Sequence, residues 1–297
     1  MATLMRHALK SATYKPALLK ALVHCCQRTE ELTIPLTSIG REFTRLYWSQ
    51  TVVYHLRQAA SLTKEASVVK LIRETANEYK TQSLSDLSPQ VRERLDLKMS
   101  WLLTVNVLAA FHSSKPPRMP QLFHWEPGWA HVSMSAEARA FMVQQSQPLE
   151  LIANFYWAEF LENCNRLAPK IVQKVSRDGA RRKSLQPYLR ILQADSPSSC
   201  FYCGVNLDLD RVNVDHLIPW SFLLEDELWD LVLACGRCNS LKSDWLPTRE
   251  LLEKLLLRNR TTLKDRLASS ITDDEVRRLY EAAISVEWPH FWSHENI

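Results

Sequence analysis

A mainly α-helical protein carrying one small module of different character is what this sequence predicts, and three observations predict it. Glycine is scarce, 5 residues in 297, against an average usage of roughly 7%. That argues against a Gly-rich phosphate loop, a propeller or a turn-rich β sandwich. Apolar residues recur at helical spacing through the first two thirds, as in Ala17, Leu18, Ala21 and Leu22. Four of the seven cysteines form two Cys-x-x-Cys pairs, Cys200/Cys203 and Cys235/Cys238. Hydrophobic residues make up 46% and charged residues 24%, so a disordered chain is excluded on composition.

The expected helices are residues 16–27, 38–60, 67–83 and 89–111. Pro16 suits a first helical turn, and Thr37 and Ser38 are N-cap residues for the second helix. Residues 114–120 hold three prolines and break the pattern. Glu126-Pro127-Gly128 is a turn signal for a small hairpin over 122–135. Helix returns over 136–166, interrupted at Pro148. Two more helices follow the cysteine region, at 249–259 and 273–285. The second has Thr272 as its cap and Asp273, Asp274 and Glu275 in its first turn, favourable beside the helix dipole. The organisation read from this is a helical domain (1–165), a basic linker or helix (166–196), the cysteine module (197–248) and C-terminal helices (249–297). Trp48, Trp101, Trp125, Trp129 and Trp157 all fall in the helical domain. They serve either core packing or base stacking, and their large buriable area favours the core.

No apolar run approaches the ~20 residues of a membrane span, and no cleavable signal is visible. The expected setting is cytoplasmic, with no membrane partner. The first 29 residues contain no acid but include Arg6, Lys10, Lys15, Lys20 and Arg28. An organellar transit peptide has that composition, yet the Ala17–Leu22 stripe reads as a helix of the folded domain.

Without a secretory signal, a disulfide framework is the poorer account of the cysteines. Cys25, Cys26 and Cys164 sit in apolar helical patterns and read as small buried hydrophobes. The two knuckles are different. Each places two thiolates on one ion, and four complete the closed tetrahedral shell of a structural Zn²⁺. A module of about 50 residues has little core of its own, so a metal staple is physically expected.

Between the knuckles, residues 211–214 alternate like a strand and lead into Asp215-His216. A second β-like run, 228–234, leads into Cys235. Asn239 opens a short helical stretch holding Lys242. The knuckles, Asp215-His216 with Pro219 and Ser221, the 231–235 run, and Cys238-Asn239 with Lys242 together resemble the HNH endonuclease family, of the ββα-metal fold. The resemblance covers about residues 200–247 and implies roles by position. His216 would be the general base that activates water, and Asp215 and Asn239 would hold a catalytic divalent metal distinct from the zinc. A carboxylate and an amide oxygen with several waters suit Mg²⁺ or Mn²⁺. Lys242 would reach a phosphate, unless it is merely a solvated lysine. Asp230 stands where the family usually has the Asn that holds the base imidazole. A carboxylate there accepts the same N–H and favours the charged ring.

Charge distribution adds a partner. Residues 197–247 hold three basic and eight acidic side chains, a net −5, so the rest of the chain carries +9. Residues 166–193 hold eight basic residues against Asp178 alone. Arg177, Arg181, Arg182 and Lys183 are therefore the expected phosphate contacts, unless the segment is merely a solvated helix. The function expected is a metal-dependent DNA endonuclease, which the resemblance links to bacterial restriction or defence. The alternatives are a zinc-stabilised nucleic-acid-binding module with weak cleavage, or a nuclease subunit of a homodimer or larger complex.

Overall fold

A computed structural model describes Met5 and residues 12–61, 63–111, 121–176, 183–195, 198–208, 212–267 and 271–293. About 61% of it is helical, so the mainly α expectation holds. The chain forms two compact units: Met1–Arg166 with Ile171–Gly179, and Leu167–Lys170 with Ala180–Ile297. Among the described residues, no helix is long and apolar enough to cross a membrane.

The first unit contains α1 (Tyr14–Arg28), β1 (Thr33–Pro35), α2 (Leu36–Trp48), α3 (Ser67–Tyr79), α4 (Pro89–Asn106), α5 (Leu108–Phe111), β2 (His131–Ser133), α6 (Ala136–Gln144), α7 (Ser146–Cys164) and α8 (Ile171–Ser176). Helix α1 is buried on nearly every face, Lys15 and Lys20 included. Lys20 is tolerated there because its amine donates to Asn154 Oδ1 at 2.8 Å. Helix α2 crosses α4 so closely that a Cβ on Gly40 would meet the Asp96 carbonyl at 2.6 Å, which is why glycine stands there. Trp48 and Trp157 are core residues, whereas Trp101 is 64% exposed.

The helix expected over 38–60 stops early. At Ser49–Val53 the chain makes a π turn and then leaves the helix, with His55 at φ 48°. Tertiary bonds override local propensity here: the Thr13 hydroxyl and the Trp157 indole both donate to Gln58 Oε1, at 2.8 and 2.9 Å. The helix expected over 136–166 breaks at Gln145, three residues before Pro148, and Pro148 sits in the first turn of α7. The 122–135 hairpin closes through a His124–Ser133 bridge around Gly128 at φ 93°. Its second arm, β2, also pairs antiparallel with the distant β1, placing Ile34 opposite Val132.

An acid-sensitive cluster ties α1 to α2. Glu42 is 1% exposed and meets His24, Arg28 and Arg45. Burial alone would raise its pKa, but hydrogen bonds from His24, Arg45 and Arg28 outweigh it and hold the carboxyl at about 2, against 4.5 unperturbed. A depressed folded-state pKa contributes stability above the unfolded value, and that contribution fades as pH falls through the folded value. The unfolding free energy from urea melts should therefore drop between pH 4.5 and 2, by up to about 3 kcal/mol from this residue. Glu42→Gln should be less stable at pH 7 and lose less on acidification; equal acid slopes in the two proteins would refute the assignment.

The second unit contains α9 (Gln186–Asp195), β3 (Asn213–His216), α10 (Trp220–Leu223), β4 (Leu231–Ala234), α11 (Gly236–Lys242), β5 (Leu246–Pro247), α12 (Arg249–Thr261), α13 (Lys264–Leu267), α14 (Asp273–Ser285) and β6 (His290–Trp292). Helix α14 begins with a full capping box between Thr272 and Glu275. Strands β3 and β4 pair antiparallel, and β5 and β6 pair parallel. One apolar core joins Cys200, Tyr202, Ile218 and Phe222 with Leu252, Leu255, Tyr280 and Trp288. The C-terminal elements thus supply the core that the cysteine segment lacks. Polar bonds fix them in place: Trp288 Nε1 donates to the Asp244 carbonyl at 2.8 Å, and the Tyr280 hydroxyl donates to the Pro247 carbonyl at 2.6 Å.

Candidate metal centre and catalytic hairpin

Both knuckles are ends of paired structure. The first is a tight turn in which the Phe201 N–H donates to the Leu233 carbonyl of β4, at 2.8 Å. The second joins the end of β4 to α11, where Cys235 is the N-cap and its Sγ accepts the Cys238 N–H at 3.4 Å. The Cys235 N–H in turn donates to Cys200 Sγ at 3.4 Å. All four sulfurs lie within 4.8 Å of one another, and Cys203 and Cys235 are 3.9 Å apart. A tetrahedral ion with bonds of about 2.3 Å to sulfur sets S···S edges of roughly 3.8 Å. The donor set therefore fits one metal ion. All seven cysteines are free of disulfides.

Beside this cluster, β3 presents Asp215 and His216 at its end, opposite Val232 and Leu231 of β4. Successive strand residues face opposite ways, so the two side chains meet different neighbours. Asp215 Oδ2 accepts the Tyr202 hydroxyl at 2.7 Å and lies 3.4 Å from Lys242 Nζ. Both of these polar contacts fall on Oδ2, so among the described residues Oδ1 is the oxygen left for a cation. Burial and the adjacent Asp215 carboxylate push the Tyr202 hydroxyl well above its usual pKa, so it stays a donor. Asn239 is half-buried on α11, one turn before Lys242 and thus on the helix face that meets β3. One carboxylate oxygen and one amide oxygen are hard donors that fit Mg²⁺ or Mn²⁺.

Two expected roles are corrected. Lys242 is fully buried, donates to the His216 carbonyl at 2.7 Å and pairs with Asp215. It braces the strand and offers no amine to a phosphate. Asp230 does not hold the imidazole. Its Oδ1 accepts the Ile218 N–H at 2.8 Å, and its Oδ2 is buried without a hydrogen-bond partner. Burial pushes the Asp230 carboxyl well up, opposed by the charges of Lys242 and Arg258. The side chain facing the ring is instead Asp226, whose Oδ1 lies 3.1 Å from His216 Nε2.

Of the basic segment, Arg177, Arg181 and Arg182 lie outside the described residues. Lys183 and Arg190 are exposed, Lys170 pairs with Glu225, and Lys174 is fully buried. The segment is therefore no uniform cationic face.

Sequence reasoning passed over three residues of this region. Tyr202 was only spacer inside a knuckle, yet it grips Asp215. Asp226 was only one charge in Glu225-Asp226-Glu227, a run that does mark the turn facing the ring. Arg258 was only a helix residue. It sends its guanidinium to the Leu231 and Trp229 carbonyls, at 2.7 and 3.2 Å, and burial lowers its pKa to about 10.

Residues 200–248 match the family model of the HNH endonucleases. That segment therefore carries an HNH-type nuclease module, roughly a sixth of the chain. No solved structure matches the chain.

Proposed function

We propose that the second unit is a metal-dependent endonuclease that hydrolyses phosphodiester bonds of DNA. The observation that carries this reading is the join of Asp215-His216, at a strand end, to a helix bearing Asn239. Lys242 makes that join, inside a segment with the HNH signature. Asp215 Oδ1 and the Asn239 amide oxygen would hold the catalytic cation. When bound, the cation supplies positive charge against the phosphate and the leaving oxygen. His216 takes the proton from the attacking water as the general base. Lys242 and Tyr202 fix Asp215 from below, so the carboxylate does not have to be ordered during the reaction. The four-cysteine cluster holds zinc, and four thiolates leave no position open for water, so its part is to set the geometry.

The module is acidic, so phosphate contacts fall to other parts of the chain, with Lys183 and Arg190 as described, exposed candidates. A role against foreign DNA follows from the family resemblance, and phage plating on cells with and without the protein measures it. The direct test is cleavage of supercoiled plasmid, DNA oligonucleotides and RNA oligonucleotides with Mg²⁺ or Mn²⁺. Cleavage of DNA, abolished by excess chelator, is expected. Cleavage of RNA alone would replace the substrate, and no cleavage of any substrate would overturn the reading.

A further inference from the structure

We propose that Asp226 is the residue that orients the base. Its carboxylate accepts the Nε2–H of His216 and so fixes the ring's tautomer and orientation. The inference rests on the nuclease reading above and names a residue that the family resemblance did not assign.

The distance is 3.1 Å, between a ring that is 4% exposed and a carboxylate that is 16% exposed. A pair this enclosed is less screened than a surface ion pair, so it is worth more. A buried carboxylate that accepts one ring N–H selects which nitrogen keeps the lone pair, the role such a group plays in hydrolytic triads. The surrounding chain is built to hold Asp226 there. Leu224 takes a left-handed conformation (φ 54°) that ends α10 and turns the chain back. A non-glycine residue in this conformation is strained and persists only where the surroundings impose it. The Tyr188 hydroxyl donates to the Asp226 carbonyl at 2.5 Å, and Lys170 pairs with Glu225. The Asp230 N–H closes the turn onto the Glu227 carbonyl at 3.0 Å, and the Leu217 N–H meets the Asp230 carbonyl at 2.9 Å. The acidic turn is thus pinned on both sides beside His216.

Among the described residues, three other charged groups of this region are committed elsewhere. Lys242 holds the His216 backbone carbonyl, Asp215 pairs with Lys242 and Tyr202, and Asp230 takes the Ile218 N–H. His216 is therefore held by its backbone from the α11 side and by its ring from the turn.

The test compares the full-length parent with Asp226→Ala and Asp226→Asn. It combines DNA-cleavage kinetics over a range of Mg²⁺ concentrations with ¹⁵N spectra of the His216 ring, assigned with a His216 variant. Asp226→Ala should lower kcat roughly 10- to 100-fold, the usual effect of losing a carboxylate behind a functional imidazole. KM for DNA and the Mg²⁺ dependence should not change, and the ring should lose its single Nε2–H tautomer. Asp226→Asn keeps an acceptor oxygen, so it should recover most of kcat and the tautomer. It also serves if the alanine variant fails to fold. An unchanged kcat in a folded Asp226→Ala protein would overturn the role and leave the nuclease reading standing. A loss recovered by raising Mg²⁺ would assign Asp226 to the cation and overturn it likewise. A parent that cleaves nothing would overturn both.

Discussion

His216→Ala should lower strand cleavage by about 10²–10⁴-fold, the usual cost of removing a general base, while nucleic-acid binding stays essentially intact. The ring is buried at the end of β3 and faces Asp226, so its loss should leave phosphate contacts elsewhere in place. Truncation does leave a cavity and a carboxylate, Asp226, without its imidazole. Local collapse then adds to any loss of activity. His216→Asn separates the two effects: it fills part of the space and offers an amide N–H towards Asp226, but provides no base near neutral pH. Both variants should therefore lose cleavage alike, with the asparagine variant closer to the parent in thermal midpoint. Filter binding at several salt concentrations should give parental affinity and a parental salt slope for both. Cleavage retained by folded His216→Asn would show that the water is activated elsewhere.

What could be read from sequence and what could not divide along physical lines. Cysteine spacing reports geometry directly, because two residues between thiols fit a knuckle whatever the rest of the fold does. The four sulfurs accordingly come together. Asn239 follows Cys238 directly on α11, and β3, which ends in Asp215-His216, pairs with the strand that leads into Cys235. Lys242 was not legible in this way. Its place on α11 is local, but whether that face looks to solvent or onto β3 is decided by packing, and packing buried it. The partner of His216 was misassigned to Asp230 because a residue facing the ring across a turn leaves no periodic trace; the turn had to be seen folded. The π turn after Trp48 has the same origin, in hydrogen bonds from Thr13 and Trp157 that lie far away in sequence. So does the β1–β2 pairing, whose strands lie about a hundred residues apart.

Removing the cysteine-bound metal should unfold the second unit before the first. The cluster joins the 200–203 turn to the junction of β4 with α11, about thirty residues further along the chain. Helix α11 then carries Asn239 and Lys242 to β3. Without an ion, four thiols crowd within 4.8 Å, and α11 loses its tie to the 200–203 turn, with Lys242 left to hold it to β3. Apparent zinc-binding energies in small finger domains run to about 10–16 kcal/mol. Here the core shared with Leu252, Tyr280 and Trp288 should retain part of that stability. The expected loss is several kcal/mol, or a fall of roughly 10 °C or more in the second unit's melting transition. Cys235→Ser should reproduce it, since that residue is both ligand and helix cap. Metal analysis of the purified parent should find about one zinc per chain. Zinc release on heating, followed with a chromogenic chelator, should coincide with that transition, while the first unit's melting stays put. Proteolysis of the chelated protein should open 200–248 first, and cleavage activity should fall even with Mg²⁺ in excess, because α11 is no longer tied to the 200–203 turn. A folded protein that contains no zinc, or a chelated protein whose second unit melts at the parental temperature, would show that the apolar core alone sets the geometry.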